Sequence, residues 1–169
     1  NVDNNTYKIE SIEKYLIKRE KNEVRAIDPN KALQMKKLIL ETKNEKDSIG
    51  GIIKCLAIGL PAGIGSPFFE TLEGNISKAI FSIPSVKGIE FGAGFEATKM
   101  KGSEHNDPWR IKKGTIITSK NDSGGIIGGI SIGMPIEFQV AIKPTPTIGK
   151  QQKTVNINSK ENSQIKISG

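Results

Sequence analysis

The chain has one cysteine, Cys55, and one histidine, His105, among its 169 residues. A single cysteine excludes an intramolecular disulfide and fits a cytosolic home. One cysteine and one histidine are too few soft ligands for a protein zinc site. Aromatic residues make up only 5% of the sequence, and no motif that reads RNA or DNA is present, which argues against a platform for stacked bases. No apolar run approaches the ~20 residues needed to span a membrane. The polar opening residues NVDNNTYKI carry no secretory pattern. At 36% hydrophobic the chain is lean for the length of one ordinary domain, so its core is expected to be modest.

Glycine and positive charge are abundant. The 18 glycines predict many tight turns, and the formal net charge is +7. Residues 1–84 hold 13 basic and 11 acidic side chains; residues 85–169 hold 12 and 7. The excess in the later part favours anionic partners such as phosphorylated metabolites, a phosphate-bearing cofactor or nucleic acid.

The later part also contains the most informative stretch, from Gly124 to Asn156. Gly124-Gly125-Ile126-Ile127-Gly128-Gly129 reads as a glycine-rich turn that lets backbone approach a flat ligand, because glycine has no Cβ atom. A strand with period two follows, with Ile136, Phe138, Val140 and Ile142 on one face and Glu137, Gln139, Ala141 and Lys143 on the other. Lys143-Pro144-Thr145-Pro146-Thr147 then forms a stiff polar corner. Its prolines fix the backbone, and its cation and hydroxyls suit a phosphate. The same residues also fit a plain antiparallel hairpin with a solvated lysine at its end.

Elsewhere the spacing predicts a short strand ending residues 1–9 and an amphipathic helix over Glu10–Glu20 with Ile12, Tyr15 and Leu16 inward. An extended piece is expected over Asn22–Ile27. A helix should open at Asp28 as N-cap with Pro29 in its first position and bury Ala32, Met35, Leu38 and Ile39. Ser48–Gly51 reads as a turn and Ile52–Ile58 as a strand with Cys55 as a small core residue. After a loop, Ser66 and Pro67 should start a helix with Phe68, Phe69, Leu72, Ile76, Ala79 and Ile80 on one face, closed by Pro84. Val86–Phe91 is a strand, Gly92–Gly94 a turn, and 95–113 a loop in which Trp109 is a candidate anchor. His105, flanked by Glu104, Asn106 and Asp107, invites an acid–base reading, against which stands the commoner solvent-facing loop histidine. Ile116-Ile117 should start a strand. The tail is polar, with a possible strand at Ile165–Ile167. Strands alternating with helices, and hairpin-like turns between several strands, predict mixed α and β with antiparallel sheet, an α+β fold.

Taken in order, Gly50-Gly51, GLPAGIGSP (59–67), SIPSVKGIEFGAGF (82–95), KGSEHND (101–107), NDSGGIIGGIS (121–131), GMPIEFQVAIKPTPT (133–147) and QQKTVN (151–156) resemble chorismate synthase. RAIDPNKALQMKKLILETKNEKD (25–47) is similar to the family's charged helix ahead of Gly-Gly. The resemblance implies a β-α-β sandwich, with mostly antiparallel sheets packed on helices, in a homotetramer in the cytoplasm. It implies a lyase of the shikimate pathway and aromatic amino acid biosynthesis. This enzyme forms chorismate from 5-enolpyruvylshikimate 3-phosphate by 1,4-elimination of phosphate and needs reduced FMN. The family's flavin contacts fall here on Gly128, Lys143, Pro144, Thr145, Pro146 and Thr147. A non-catalytic basic module that binds an anion or nucleic acid is the alternative.

This chain also departs from the family pattern. The Gly-Glu-Ser-His-Gly opening, the arginine-rich middle segment and the Arg-His-Asp-Pro-Cys motif are not found in it. Those segments carry the family's proposed acid–base histidines, a catalytic aspartate and most of its substrate arginines. Residues 1–169 therefore resemble a single partial domain, expected to be inactive alone, with no catalytic residue assigned. Pro84-Ser85 stands where many bacterial members have a flavin-touching Asn-Ala. Ile132 and Lys120-Asn121-Asp122 also differ from common family residues. An unpaired Asp122 near a bound anion would be slightly unfavourable.

Overall fold

A computed structural model describes the backbone of residues 9–167 and the side chains of residues 14–167. The helices are α1 (Ile9–Glu20), α2 (Pro29–Asn44), α3 (Leu72–Phe81) and the short α4 (Gly102–His105). The strands are β1 (Gly51–Ala57), β2 (Val86–Phe91), β3 (Trp109–Lys112), β4 (Thr115–Thr118), β5 (Ile126–Ile127), β6 (Ile130–Ser131), β7 (Ile136–Ile142), β8 (Gln152–Asn156) and β9 (Glu161–Ile165). The described chain clusters into two units, one built on Ile52–Ile142 and the other on Glu13–Gly51 with the chain from Lys143 onward.

In the first unit β7 is the central strand of a sheet ordered β1-β7-β2. Its alternation sets which face is dry: Ile136 and Val140 are buried, with Val86 of β2 buried beside them. Burying an isoleucine or valine side chain contributes about 1.5–3 kcal/mol. The antiparallel β2–β7 register pairs Ile89 with Val140, Glu90 with Gln139 and Phe91 with Phe138. The Phe91 and Phe138 rings lie 5.6 Å apart and tilted, a favourable aromatic arrangement. On the opposite face Gln139 Nε2 donates to Glu90 Oε1 and the Phe95 N–H donates to Glu90 Oε2. Two further hairpins, β3–β4 and β5–β6, belong to this unit, and an antiparallel bridge joins Gly65 to Ile130.

In the second unit, α2 begins where local chemistry predicts. Asp28 Oδ1 accepts from the Asn30 and Lys31 N–H groups, and Pro29 occupies the first turn, where no intrahelical donor is needed. Among its expected inward residues only Ala32 is buried; Met35, Leu38 and Ile39 are exposed, as are Tyr15 and Leu16 of α1. The side chain of Ile12 and the strand expected within residues 1–8 lie outside the described residues, and Ile9 already belongs to α1.

Several expectations are corrected. Asn22–Ile27 is a turn rather than an extended piece, because the Asn22 side chain binds both the N–H and the carbonyl of Ala26. Phe68 and Phe69 form a separate 3-10 turn (Phe68–Glu70) and are almost wholly exposed. Phe68 has φ +67°, outside the right-handed α region, so α3 cannot run through it and starts afresh with Thr71 as its cap. Leu72, Ile76 and Ile80 are half-buried, while Ala79 is exposed. The expected loop 95–113 contains a 3-10 segment (Gly94–Lys99), α4 and β3, and Trp109 is exposed rather than an anchor. The tail strand is β9, paired with β8, and it ends at Ile165 instead of starting there. Cys55 is half-buried, and desolvation pushes its thiol pKa up, so it stays protonated.

Candidate functional site

The glycine-rich run folds as two structures in one. Ile126 pairs with Ser131 and Ile127 with Ile130, leaving Gly128 and Gly129 as a two-residue turn. Their φ angles are +62° and +83°, the left-handed pair that a type I′ hairpin demands. The two glycines serve different ends. A Cβ on Gly129 would meet Thr71 Cγ2 at 2.6 Å, and the Gly129 carbonyl accepts from the Leu72 N–H at 2.9 Å. A Cβ on Gly128 would meet nothing within 4 Å, so its backbone faces open space.

The outer side of this hairpin is fastened by Ser131, which is buried. Its Oγ donates to the Pro61 carbonyl at 2.7 Å and accepts from the Ile64 N–H at 2.9 Å. The loop GLPAGIGS is thereby tied to β6, with the Gly63 N–H donating to the Ser131 carbonyl at 2.8 Å.

The proline corner follows Ile142 directly in the second unit. Lys143, Pro144, Thr145, Pro146 and Thr147 are all exposed and form no regular element. The corner is held by the loop after α2. Ser48 Oγ donates to the Thr145 carbonyl at 2.6 Å, and the Gly149 N–H donates to the Lys46 carbonyl at 3.0 Å. Lys150 Nζ then reaches Asp47 at 2.8 Å and Glu45 at 3.3 Å. Hydrogen bonds from Lys150 and then from the Ser48 N–H hold the Asp47 carboxyl below its ordinary pKa; Asp47 and Glu45 hold the Lys150 ammonium above its own. Lys143 has no ion pair or hydrogen bond among the described residues, so the corner's leading cation is uncommitted.

The predicted site residues are thus divided: Lys143 to Thr147 form one continuous surface of the second unit, and Gly128 tips a hairpin of the first. His105 ends α4 half-buried, and its contribution to the region is its carbonyl, which accepts from Lys120 Nζ at 3.1 Å. The same ammonium pairs with Asp122, so that carboxylate is not left alone. Sequence reasoning passed over Ser48, read only as part of a turn, and Asp107, read only as a neighbour of His105. The Asp-Pro step at 107–108 is a turn signal that could have pointed to Asp107. A cavity of about 640 Å³ in the second unit, lined by Val24, Ile27, Ala32 and Leu33 among others, contains none of the predicted residues.

A family model described as chorismate synthase matches residues 1–169. Chorismate synthase from Dehalococcoides mccartyi is 49% identical over 148 residues, covering 88% of this chain and 41% of that protein. The protein of the same name from Korarchaeum cryptofilum is 51% identical over 148 residues, again 88% and 41%. That from Methanosarcina acetivorans is 49% identical over 159 residues, 94% of this chain and 44% of its own. A crystal structure of chorismate synthase superposes with a TM-score of 0.76 at 36% identity, covering 86% of this chain and 45% of that one. The chain belongs to the chorismate synthase family and has its α+β fold. It spans about two fifths of the length of these curated relatives. The alternative of a basic anion- or nucleic-acid-binding module draws no support from these matches.

Proposed function

We propose that this chain supplies part of the cofactor site of a chorismate synthase, a lyase that eliminates phosphate from 5-enolpyruvylshikimate 3-phosphate to give chorismate. The observation that carries this reading is the uncommitted Lys143 cation on a corner braced from behind, within a chain that matches the family along its whole length. When bound, reduced FMN supplies the electronic chemistry of an elimination with no net redox change.

The residues present fit that cofactor's charged end. Lys143 offers an ammonium with no protein partner to surrender. Thr145 and Thr147 offer hydroxyls, and Pro144 and Pro146 hold the backbone between them. A phosphate binds best to donors that need no reorganisation, and this corner is already ordered by Ser48 and Lys150. Gly128 presents bare backbone with open space beyond it, as close approach of a planar ring system requires. No residue of the chain is assigned a proton-transfer role. A homotetramer in the cytoplasm is the assembly and location we propose, on the family resemblance. The 169-residue chain by itself is proposed to turn over no substrate.

The test is anaerobic turnover with reduced FMN, comparing the 169-residue chain with one completed to its relatives' length. Chorismate formation by the longer chain alone is the expected result. Equal turnover by both would overturn the claim that the short chain is inactive. No turnover by a folded longer chain would overturn the lyase reading.

A further inference from the structure

The turn leading into the glycine hairpin is held by one buried carboxylate. Asp107 lies just past α4, and its side chain is 1% exposed. Its Oδ1 accepts from the Asp122 N–H at 2.8 Å; its Oδ2 accepts from the Ser123 N–H at 2.9 Å and from Ser123 Oγ at 2.6 Å. Lys120 Nζ stands 4.0 Å away and also binds the Glu104 and His105 carbonyls and the Asp122 carboxylate. A buried carboxylate needs its oxygens satisfied and its charge answered, and here both conditions are met.

What Asp107 holds is the root of the hairpin. The Asp122 carbonyl accepts from the Ala93 N–H at 2.8 Å, the Gly124 carbonyl from the Glu137 N–H at 3.1 Å, and the Gly125 carbonyl from the Ile132 N–H at 3.0 Å. The turn and Gly92 approach too closely for a side chain at either glycine: a Cβ on Gly92 would strike the Asp122 carbonyl oxygen at 2.1 Å, and one on Gly124 the Gly92 nitrogen at 2.6 Å. β5 and β6 are only two residues each, too short to maintain their own geometry, so the tip is positioned by its anchors: the Leu72 N–H on the Gly129 carbonyl and the Ser131 bonds on one side, and the root that Asp107 holds on the other.

We propose that Asp107 is a positioning residue for the flavin site: by clamping the Asp122 and Ser123 backbone and the Ser123 hydroxyl it fixes the root of the hairpin and so contributes to where Gly128 presents its main chain to the cofactor. The proposal rests on the flavin reading of Gly128 given above. Asp107 touches no ligand and acts through the turn.

The experiment uses the chain completed to its relatives' length, with FMN as the probe. It reads the FMN dissociation constant and amide hydrogen exchange in Asp107→Asn, in the milder Ser123→Ala, and in Val140→Ala. The last opens a cavity in the β7 core and serves as a destabilised control. Asp107→Asn should weaken FMN binding about tenfold, through loss of buried charge-assisted bonds. It should also speed exchange at Asp122, Ser123 and the β5–β6 amides. Ser123→Ala should do the same to a smaller degree. Val140→Ala should lower the melting temperature but leave FMN affinity within about twofold, since its partner in β2 is Ile89, three residues before the Gly92 that meets the turn. Unchanged affinity in Asp107→Asn, or a loss no greater than in an equally destabilised control, would overturn the proposal and leave Asp107 a purely structural residue. Lys143→Ala in the same background separates the two failures. If it weakens FMN binding while Asp107→Asn does not, the positioning role falls and the flavin reading stands. If neither changes affinity, the flavin reading falls and takes the positioning role with it. Should Asp107→Asn fail to fold, Ser123→Ala decides, because it leaves the carboxylate and both backbone bonds in place. Weaker FMN binding in that variant then supports the positioning role, and unchanged affinity overturns it.

Discussion

Ser48 Oγ donates to the carbonyl of Thr145 at 2.6 Å, joining residues 97 apart in the chain. That single bond orients the middle of the Lys143–Thr147 corner. Ser48→Ala should cost at most about 1 kcal/mol of stability, because the bond is exposed and water can replace it. FMN affinity should fall about two- to fivefold as the corner loosens. Equilibrium denaturation and flavin titration of the completed chain check both numbers.

Lys143→Ala probes the cation itself. An exposed lysine without a partner contributes little to folding, so the melting temperature should hardly move. Loss of a charge-assisted contact with a phosphate should weaken FMN about tenfold or more, and Lys143→Arg should recover part of it. Riboflavin, which has no phosphate, should bind the wild type and Lys143→Ala equally. A preference that survives in the variant would place the phosphate elsewhere.

The two hairpin glycines should respond differently to alanine. Gly128→Ala has space for the methyl but adopts φ +62°, which costs about 1 kcal/mol for an L-residue. Gly129→Ala carries a similar strain and also drives its Cβ into Thr71 at 2.6 Å, so it should be clearly the more destabilising. Gly128→Asn should be milder than Gly128→Ala, since asparagine tolerates the left-handed region. Thermal melts of the three variants rank them.

The Asp47–Lys150 pair predicts a pH window for the bracing of the corner. Asp47 titrates below its unfolded value, so its contribution is present above the ordinary carboxylate pKa, about 4, and is lost as pH falls through the lowered folded pKa. Lys150 titrates above its unfolded value, so its contribution is full below about pH 10 and is lost as pH rises through the raised folded pKa. Between those limits, amide exchange around Lys46 and Gly149 should be flat with pH after correction for intrinsic rates. In Lys150→Ala the acid-side dependence should weaken. Lys150 is exposed and Asp47 only half-buried, so the effect should shrink in high salt.

How much was readable from residues alone differs from element to element. The start of α2 was legible because Asp28, Pro29, Asn30 and Lys31 are neighbours whose chemistry needs nothing else. β7 was legible because its alternation is strict, and the same alternation separates buried Ile136 and Val140 from the Gln139 that meets Glu90. β9, ENSQI, has no hydrophobic period and exists through its pairing with β8, where the Asn156 side chain accepts from the Asn158 and Ser159 N–H groups at the turn. Phe68 and Phe69 misled because helical spacing was read across a residue with φ +67°. The segment 95–113 hid its short elements for a related reason. α4 and β3 are each four residues, too short to show a period.

The order of motifs determined the family, and local rules determined the cap, the central strand and the glycine turn, because each depends on residues within a few positions of one another. Tertiary structure alone decided that Asp107 rather than His105 serves the glycine turn, that Ser48 braces Thr145, and that Gly128 faces open space while Gly129 packs on Thr71. Those outcomes join residues from 15 to 97 positions apart, and hydrogen bonding and van der Waals contact act over ångströms in space, which chain order does not specify.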